Sequence, residues 1–298
     1  IAGDAITQSQ LISTGALVAK TLNNAGANIT LTNASNAVTN IDLRSRNAAD
    51  SANAAGTISF RDSNGFDVVK ISTTGNATLQ SGAAVTESGT IEAAGLELLG
   101  TGPYTLNNAG NAITTLAANV TGNLQYRDSD ALTIGTVNTV GLTAANATLV
   151  AGGAITQSQA ITTAAFVAKT LNDAGAAITL TNPGNAVASI DLRARNAADT
   201  ADAAGPIDYR DVNGFDVVRV ATTANATLTA GDAVTESGSI QANGLTVLTL
   251  NNAGAGITLM NAANAVSSIN LQSRNAADTA NAAGTISYRD TDGFDVVK

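Results

Sequence analysis

The chain repeats itself, and the repeat limits what it can fold into. The block A-[IV]-T-[QE]-S recurs with its apolar residue at Ile6, Val85, Ile155 and Val234, at nearly even intervals of which the middle one is the shortest. T-L-N-[ND]-A-G recurs at 21–26, 105–110, 170–175 and 249–254, and an R-D pair begins at Arg61, Arg127, Arg210 and Arg289. Such arrays bury a continuous core by stacking each unit on the next. Four copies follow, about 1–80, 81–150, 151–229 and 230–298, with no linker between them. Copies one, three and four share R-N-A-A-D (46–50, 195–199, 274–278) and G-F-D-V-V (65–69, 214–218, 293–297), and copy two has neither. The expectation is one continuous domain over 1–298. No capping repeat is visible, so the segment reads as a window on a longer array.

Within a copy, short runs alternate apolar and polar residues between Gly and Asn boundaries. Examples are Ile29-Thr-Leu-Thr32, Ile41-Asp-Leu-Arg44, Thr57-Ile-Ser-Phe60 and Asn76-Ala-Thr-Leu79. Period two over four to six residues is the pattern of a strand with one buried side. A separate sandwich per copy would need its own core, and the chain is only 3% aromatic. A domain that small and that poor in rings is marginal. A β-solenoid avoids the difficulty, because each rung closes against its neighbours, and Ile29, Leu31, Ile41 and Leu43 would stack inward. Strand and turn lengths give about 20–26 residues per turn, hence three or four turns per copy. With rungs about 4.8 Å apart, the expected rod is on the order of 55–70 Å long. The Ala-rich segment 46–56 reads either as a loop outside the coil or, by propensity, as a short helix.

Composition narrows the chemistry. There is no Cys, which excludes disulfides, thiolate metal sites and Cys nucleophiles. There is no His, the commonest general base and metal ligand. The net charge of −9, without a Lys/Arg cluster, argues against a nucleic-acid partner. No apolar run approaches the roughly 20 residues that span a bilayer. The opening IAGDAITQSQ has neither the basic start nor the apolar core of a signal peptide.

The phrases G-G-A-I-T-Q-S (152–158), T-L-N-N-A-G-N (105–111), I-T-L-T-N-x-x-N (29–36, 178–185) and Y-R-D-S-D-A-L-T-I-G (126–135) carry a family resemblance. In style the chain resembles, over nearly its whole length, the repeats of filamentous haemagglutinin-like exoproteins of two-partner secretion systems. That resemblance implies a right-handed parallel β-helix, export through an outer-membrane β-barrel partner, and a place outside or on the surface of a Gram-negative bacterium. It implies an adhesin or surface stalk that meets a host or neighbouring cell. The R-N-A-A-D insertion is not part of the family pattern.

The sharpest site candidate is the acidic turn R-D-[STV]-[ND]-G-F-D. Its oxygen-bearing residues are Asp62, Asn64 and Asp67, then Asp211, Asn213 and Asp216, then Asp290, Asp292 and Asp295. Alternate oxygen ligands suit Ca²⁺, but three side chains fall short of the six to eight oxygens it takes. A tight turn built on Asn-Gly or Asp-Gly explains the same residues. No metal or other cofactor is therefore expected. Asp42 and Arg44, like Asp191 and Arg193, lie two apart on one outward side, which suits a solvated face as well as a binding one. Thr30, Thr32, Thr179 and Thr181 are too sparse for an ice-binding row. The sequon at Asn76–Thr78 sits in a repeated strand word. A catalytic site usually breaks a repeat once, whereas the acidic residues here follow it, so no enzyme is expected. The functional expectation is an extracellular fibre shaft. The alternative is a homopolymeric fibre or sheath whose subunits self-associate, with the shared insertions at 46–56, 195–205 and 274–284 as lateral contacts.

Overall fold

The computed structural model of residues 1–298 is a parallel β-solenoid without helices. It comprises two compact units, residues 1–147 and 148–298. Copy one and all but the last few residues of copy two fall in the first unit, and copies three and four in the second.

Copy one supplies seven strands: β1 (Ile6–Thr7), β2 (Ser13–Leu22), β3 (Ile29–Leu31), β4 (Ala37–Arg46), β5 (Ile58–Asp62), β6 (Phe66–Ser72) and β7 (Asn76–Ser81). They form because alternate residues can be buried while the intervening ones stay wet. Pairing skips one strand each time. β1, β3, β5 and β7 stack in parallel in one column, and β2, β4 and β6 in another. Each turn therefore contains two strands. Ile29 lies in register with Ile58, Ile58 with Ala77, and Ala77 with Leu96, and all four side chains are fully buried. Ile41 and Leu43 stack on Val68 and Ile71 in the other column, also buried. The four core residues expected from the sequence are thus inward and stacked on the next rung. Turn lengths vary. The turn that carries Phe66 to its partner Val85 is short, whereas the turn from Ile29 to Ile58 is longer because it holds the insertion 46–56. The short turns fall just below the expected range and the long ones just above it.

Seven strands at two per turn make three and a half turns, so copy one hands over to copy two, and copy three to copy four, half a turn out of phase. In the first unit β8 (Val85–Gly100) opens copy two under β6, with Val85 beneath Phe66, not in the column of Ile6. The second unit repeats this. Ile155, Ile178, Ile207 and Ala226 form one column, and Val234, which opens copy four, sits beneath Phe215 in the other. Successive copies within a unit therefore present equivalent elements on opposite sides of the coil.

At the corner between the columns, aromatic rings meet edge to face: Phe60 with Phe66 at 5.1 Å, Tyr209 with Phe215 at 5.2 Å and Tyr288 with Phe294 at 5.0 Å. Glycine is required where chains approach most closely. A Cβ on Gly205 would lie 2.1 Å from the carbonyl oxygen of Ala176, and one on Gly56 equally close to that of Ala27.

Candidate functional site

The recurrent polar residues gather in two places: a buried corner and a clamped loop. The corner is built on Asn36, Asn111, Asn185 and Asn264, one per copy, all fully buried. Asn36 Oδ1 accepts the amide N–H of Ile12 at 2.9 Å, and its Nδ2 donates to the carbonyls of Leu31 (3.2 Å) and Arg61 (2.9 Å). It thereby ties three successive rungs. Asn185 makes the same set with Ile161, Leu180 and Arg210.

Beside it stands the aspartate of each R-D pair. Asp62 and Asp211 are buried. Asp211 Oδ2 accepts the amide of Val187 at 2.9 Å and the phenol of Tyr209 at 2.7 Å, and Oδ1 accepts the amide of Asn213 at 2.8 Å. Asp128 has an equivalent set from Ile113, Tyr126 and Asp130. Burial pushes the Asp128 and Asp211 carboxyls upward, opposed by these hydrogen bonds, and pushes the Tyr126 and Tyr209 phenols up as well. Copy one has Phe60 in place of the tyrosine, so Asp62 binds two backbone amides, of Val38 and Asn64, without the phenol.

This geometry separates the calcium candidates. Asp62 points inward at the end of β5. Asp67 lies on β6, where its carboxylate accepts the hydroxyls of Thr86 at 3.0 Å and Ser88 at 2.5 Å on the next rung. Asn64 is exposed at the bend between them. Asp211, Asn213 and Asp216 are arranged alike, with Thr235 and Ser237 on Asp216. Asp290 accepts the amides of Val266 and Asp292, while Asp292 and Asp295 are exposed. Each trio is spread along the chain around a bend, and its first member is occupied by backbone N–H groups. No three His, Cys, Asp or Glu side chains cluster as a metal site.

The R-N-A-A-D segments form closed loops. Arg46 Nε bonds Asp50 Oδ1 at 3.1 Å, its Nη2 bonds the Asp50 carbonyl at 3.1 Å, and Nη1 bonds Asn53. Lys20, a rung away, closes on the same Asp50, and the two cations hold that carboxyl below its ordinary range. Asp50 has φ 55° and Asn47 Oδ1 accepts the amides of Ser51 and Ala52, which shapes a turn. The loops of copies three and four repeat the clamp with Arg195–Asp199 and Arg274–Asp278. The loops of copies one and three return to the coil: Thr73 Oγ1 donates to the carbonyls of Ala54 and Gly56, and Thr222 to those of Ala203 and Gly205.

The copies also exchange charge across the loop–sheet contact. In copy one the loop offers neutral Asn53 to Glu92, which pairs with Lys70. In copy three the loop position is Asp202, the sheet positions are Gln241 and Arg219, and Arg195 binds Asp202 instead. The carboxylate has moved from sheet to loop, so the local balance is kept. Arg219 retains a buried Nε without a hydrogen-bond partner. Copy two, lacking this loop, has a different one, Gly135–Gly141. It folds over Glu97, which accepts Thr139 N at 2.7 Å and Asn138 Nδ2 and Thr78 Oγ1 at 2.8 Å. Burial pushes the Glu97 carboxyl up, and these bonds bring it below its ordinary value.

The Asp42–Arg44 and Asp191–Arg193 pairs inferred from spacing are made, with Arg44 bidentate on Asp42 at 2.5 and 2.6 Å. The buried asparagine corner was not singled out from the sequence. Its signal is the N-x-x-N of Asn33 and Asn36, one rung beyond Gln8, which bonds both.

No curated protein and no solved structure matches the chain. Residues 55–119, 121–191 and 204–273 match a family described as repeats of unknown function. The clamp residues Arg46, Asp50, Arg195, Asp199, Arg274 and Asp278 all fall outside the matched segments. Three matches cover well over half of the sequence, so the chain belongs to the DUF5649 repeat family.

Proposed function

We propose that this chain is the non-catalytic shaft of a large extracellular surface protein of a Gram-negative bacterium. One observation carries the reading: most of the recurrent polar side chains span rungs or close a turn, and the same bonds return from copy to copy. Asn36, Asp62, Asp67, Arg46 and Thr73 all bond across the coil or within its turns. Side chains repeated for this purpose stiffen a coil, and catalysis needs a site distinct from them. The resemblance to filamentous haemagglutinin-like exoproteins supports export through an outer-membrane β-barrel and a role in presenting an adhesive region elsewhere in the protein. The shaft needs no metal or cofactor.

The reading is tested in the source bacterium. Antibodies against the chain are expected to label intact cells. Removal of copies three and four together is expected to leave surface display and cell adhesion in place. Labelling only after the envelope is opened would refute the location. Loss of self-association together with adhesion would favour the laterally assembled fibre. Adding EDTA is expected to leave Tm unchanged, because a bound metal would stabilise the folded state by mass action.

A further inference from the structure

The residue that meets the buried asparagine corner alternates along the chain: Gln8 and Gln157 in copies one and three, Glu87 and Glu236 in copies two and four. Each meets a fully buried asparagine, so the chain carries its own near-isosteric comparison. Gln8 Oε1 accepts Asn36 Nδ2 at 3.0 Å, and its Nε2 donates to Asn36 Oδ1 at 2.9 Å and to the Gln10 carbonyl at 2.8 Å. Gln157 does the same with Asn185 Oδ1 at 2.8 Å and the Gln159 carbonyl at 2.6 Å. The exchange is reciprocal, with a hydrogen given in each direction.

The glutamates can only receive. Glu87 Oε1 accepts the Asn108 amide and Asn111 Nδ2, and Oε2 falls back on the same Nδ2 at 3.1 Å. Glu236 is held in the same way by Asn261 and Asn264. The bond that glutamine sends to the asparagine Oδ1 is missing in both. One proton on Oε2 would restore it, because a carboxylic acid donates where a carboxylate cannot.

The charged surroundings favour that proton. Asp67, on the strand stacked against Glu87, is the charged neighbour acting on it, and Asp216 takes that place for Glu236. The Tyr126–Asp128 and Tyr288–Asp290 pairs lie nearby and add no positive charge. Neither glutamate has an ion-pair partner, although eight of the chain's basic side chains do.

We propose that Glu87 and Glu236 are proton-operated corner pins: ionised and without the bond to the asparagine Oδ1 at neutral pH, and able to donate it once protonated. Copies two and four then tighten on mild acidification, and the glutamines of copies one and three do not respond. Burial, the larger cause, and the adjacent aspartate both push these carboxyls above the ordinary glutamate value of 4.5. A raised carboxyl holds its proton more firmly in the folded than in the unfolded chain. Its stabilisation is present in full below the unfolded value and is lost as pH rises through the folded one.

The test is thermal unfolding of the whole chain at about pH 7.5 and about pH 4. Glu87→Gln with Glu236→Gln is expected to raise Tm by about 2–4 °C at the higher pH and to leave it unchanged at the lower. The reciprocal pair, Gln8→Glu with Gln157→Glu, is expected to lower Tm at the higher pH and regain it on acidification. Hydrogen exchange at Ile91, whose amide bonds Asn111 Oδ1 at 2.8 Å, reads one corner directly and is expected to slow on acidification beyond the intrinsic pH effect. Equal shifts at both pH values, or no shift at either, would overturn the proposal.

Discussion

Replacing Asn185 by Ala lowers the unfolding free energy by about 3 kcal/mol or more, one of the largest effects open to a single polar substitution here. The side chain is fully buried and joins three rungs. Without it the Ile161 amide, the carbonyls of Leu180 and Arg210 and the Gln157 amide group all lose a partner. Water cannot readily replace those bonds in a closed corner, and each orphaned buried group costs about 1–3 kcal/mol. Thr181→Ala, an exposed change shortly before it in the chain, is expected to stay within about 0.5 kcal/mol. Urea unfolding of both variants gives the comparison. Equal midpoints would mean that the asparagine corner does not hold the turns together.

Ile207→Ala is expected to cost about 2–5 kcal/mol. Ile207 is fully buried between Ile178 on one rung and Ala226 on the next. Its neighbour below is already alanine, so no large side chain on that side can swing in to fill the space. A solenoid's stability is close to a sum of rung-to-rung contacts, so the damage should be local first. Exchange protection of the amides in 178–180 and 226–230 is expected to fall before that in 257–259. Uniform loss across the chain would argue for a single cooperative core.

Much of this was legible because period two leaves a strand little choice about which side is buried. Ile29, Leu31, Ile41 and Leu43 are inward for that reason, and the same rule put Asp42 beside Arg44. The half-turn offset was not legible. It depends on how many strands a copy contains, and the residues carry no sharp signal that β1 and β2 are separate strands while β8 runs on around a corner. The calcium candidates illustrate the limit of linear spacing. Asp62 and Asp67 are close in sequence, yet one ends β5 facing inward and the other lies outward on β6.

The segment 46–56 went against helix propensity for identifiable reasons. Asp50 has a positive φ, Asn47 takes the amides that a helix would need, and Arg46 fastens the turn at both ends. A helix of about three turns gains too little from propensity to resist such contacts. The charge exchange between Asn53–Glu92 and Asp202–Gln241 was present in the sequence, but its meaning depends on knowing that loop and sheet touch.

The central claim is parallel stacking, rung on rung, and the absence of cysteine allows a clean test. Thr179 and Asp208 are in register on adjacent rungs, although a full turn of chain separates them. The double substitution Thr179→Cys with Asp208→Cys is expected to form an intramolecular disulfide on oxidation, identified by peptide mapping. Thr179→Cys with Ala188→Cys is expected to stay reduced, because the strands carrying those residues lie in different columns. The reverse result, a bond to position 188 and none to 208, would be the signature of an antiparallel hairpin and would contradict the solenoid.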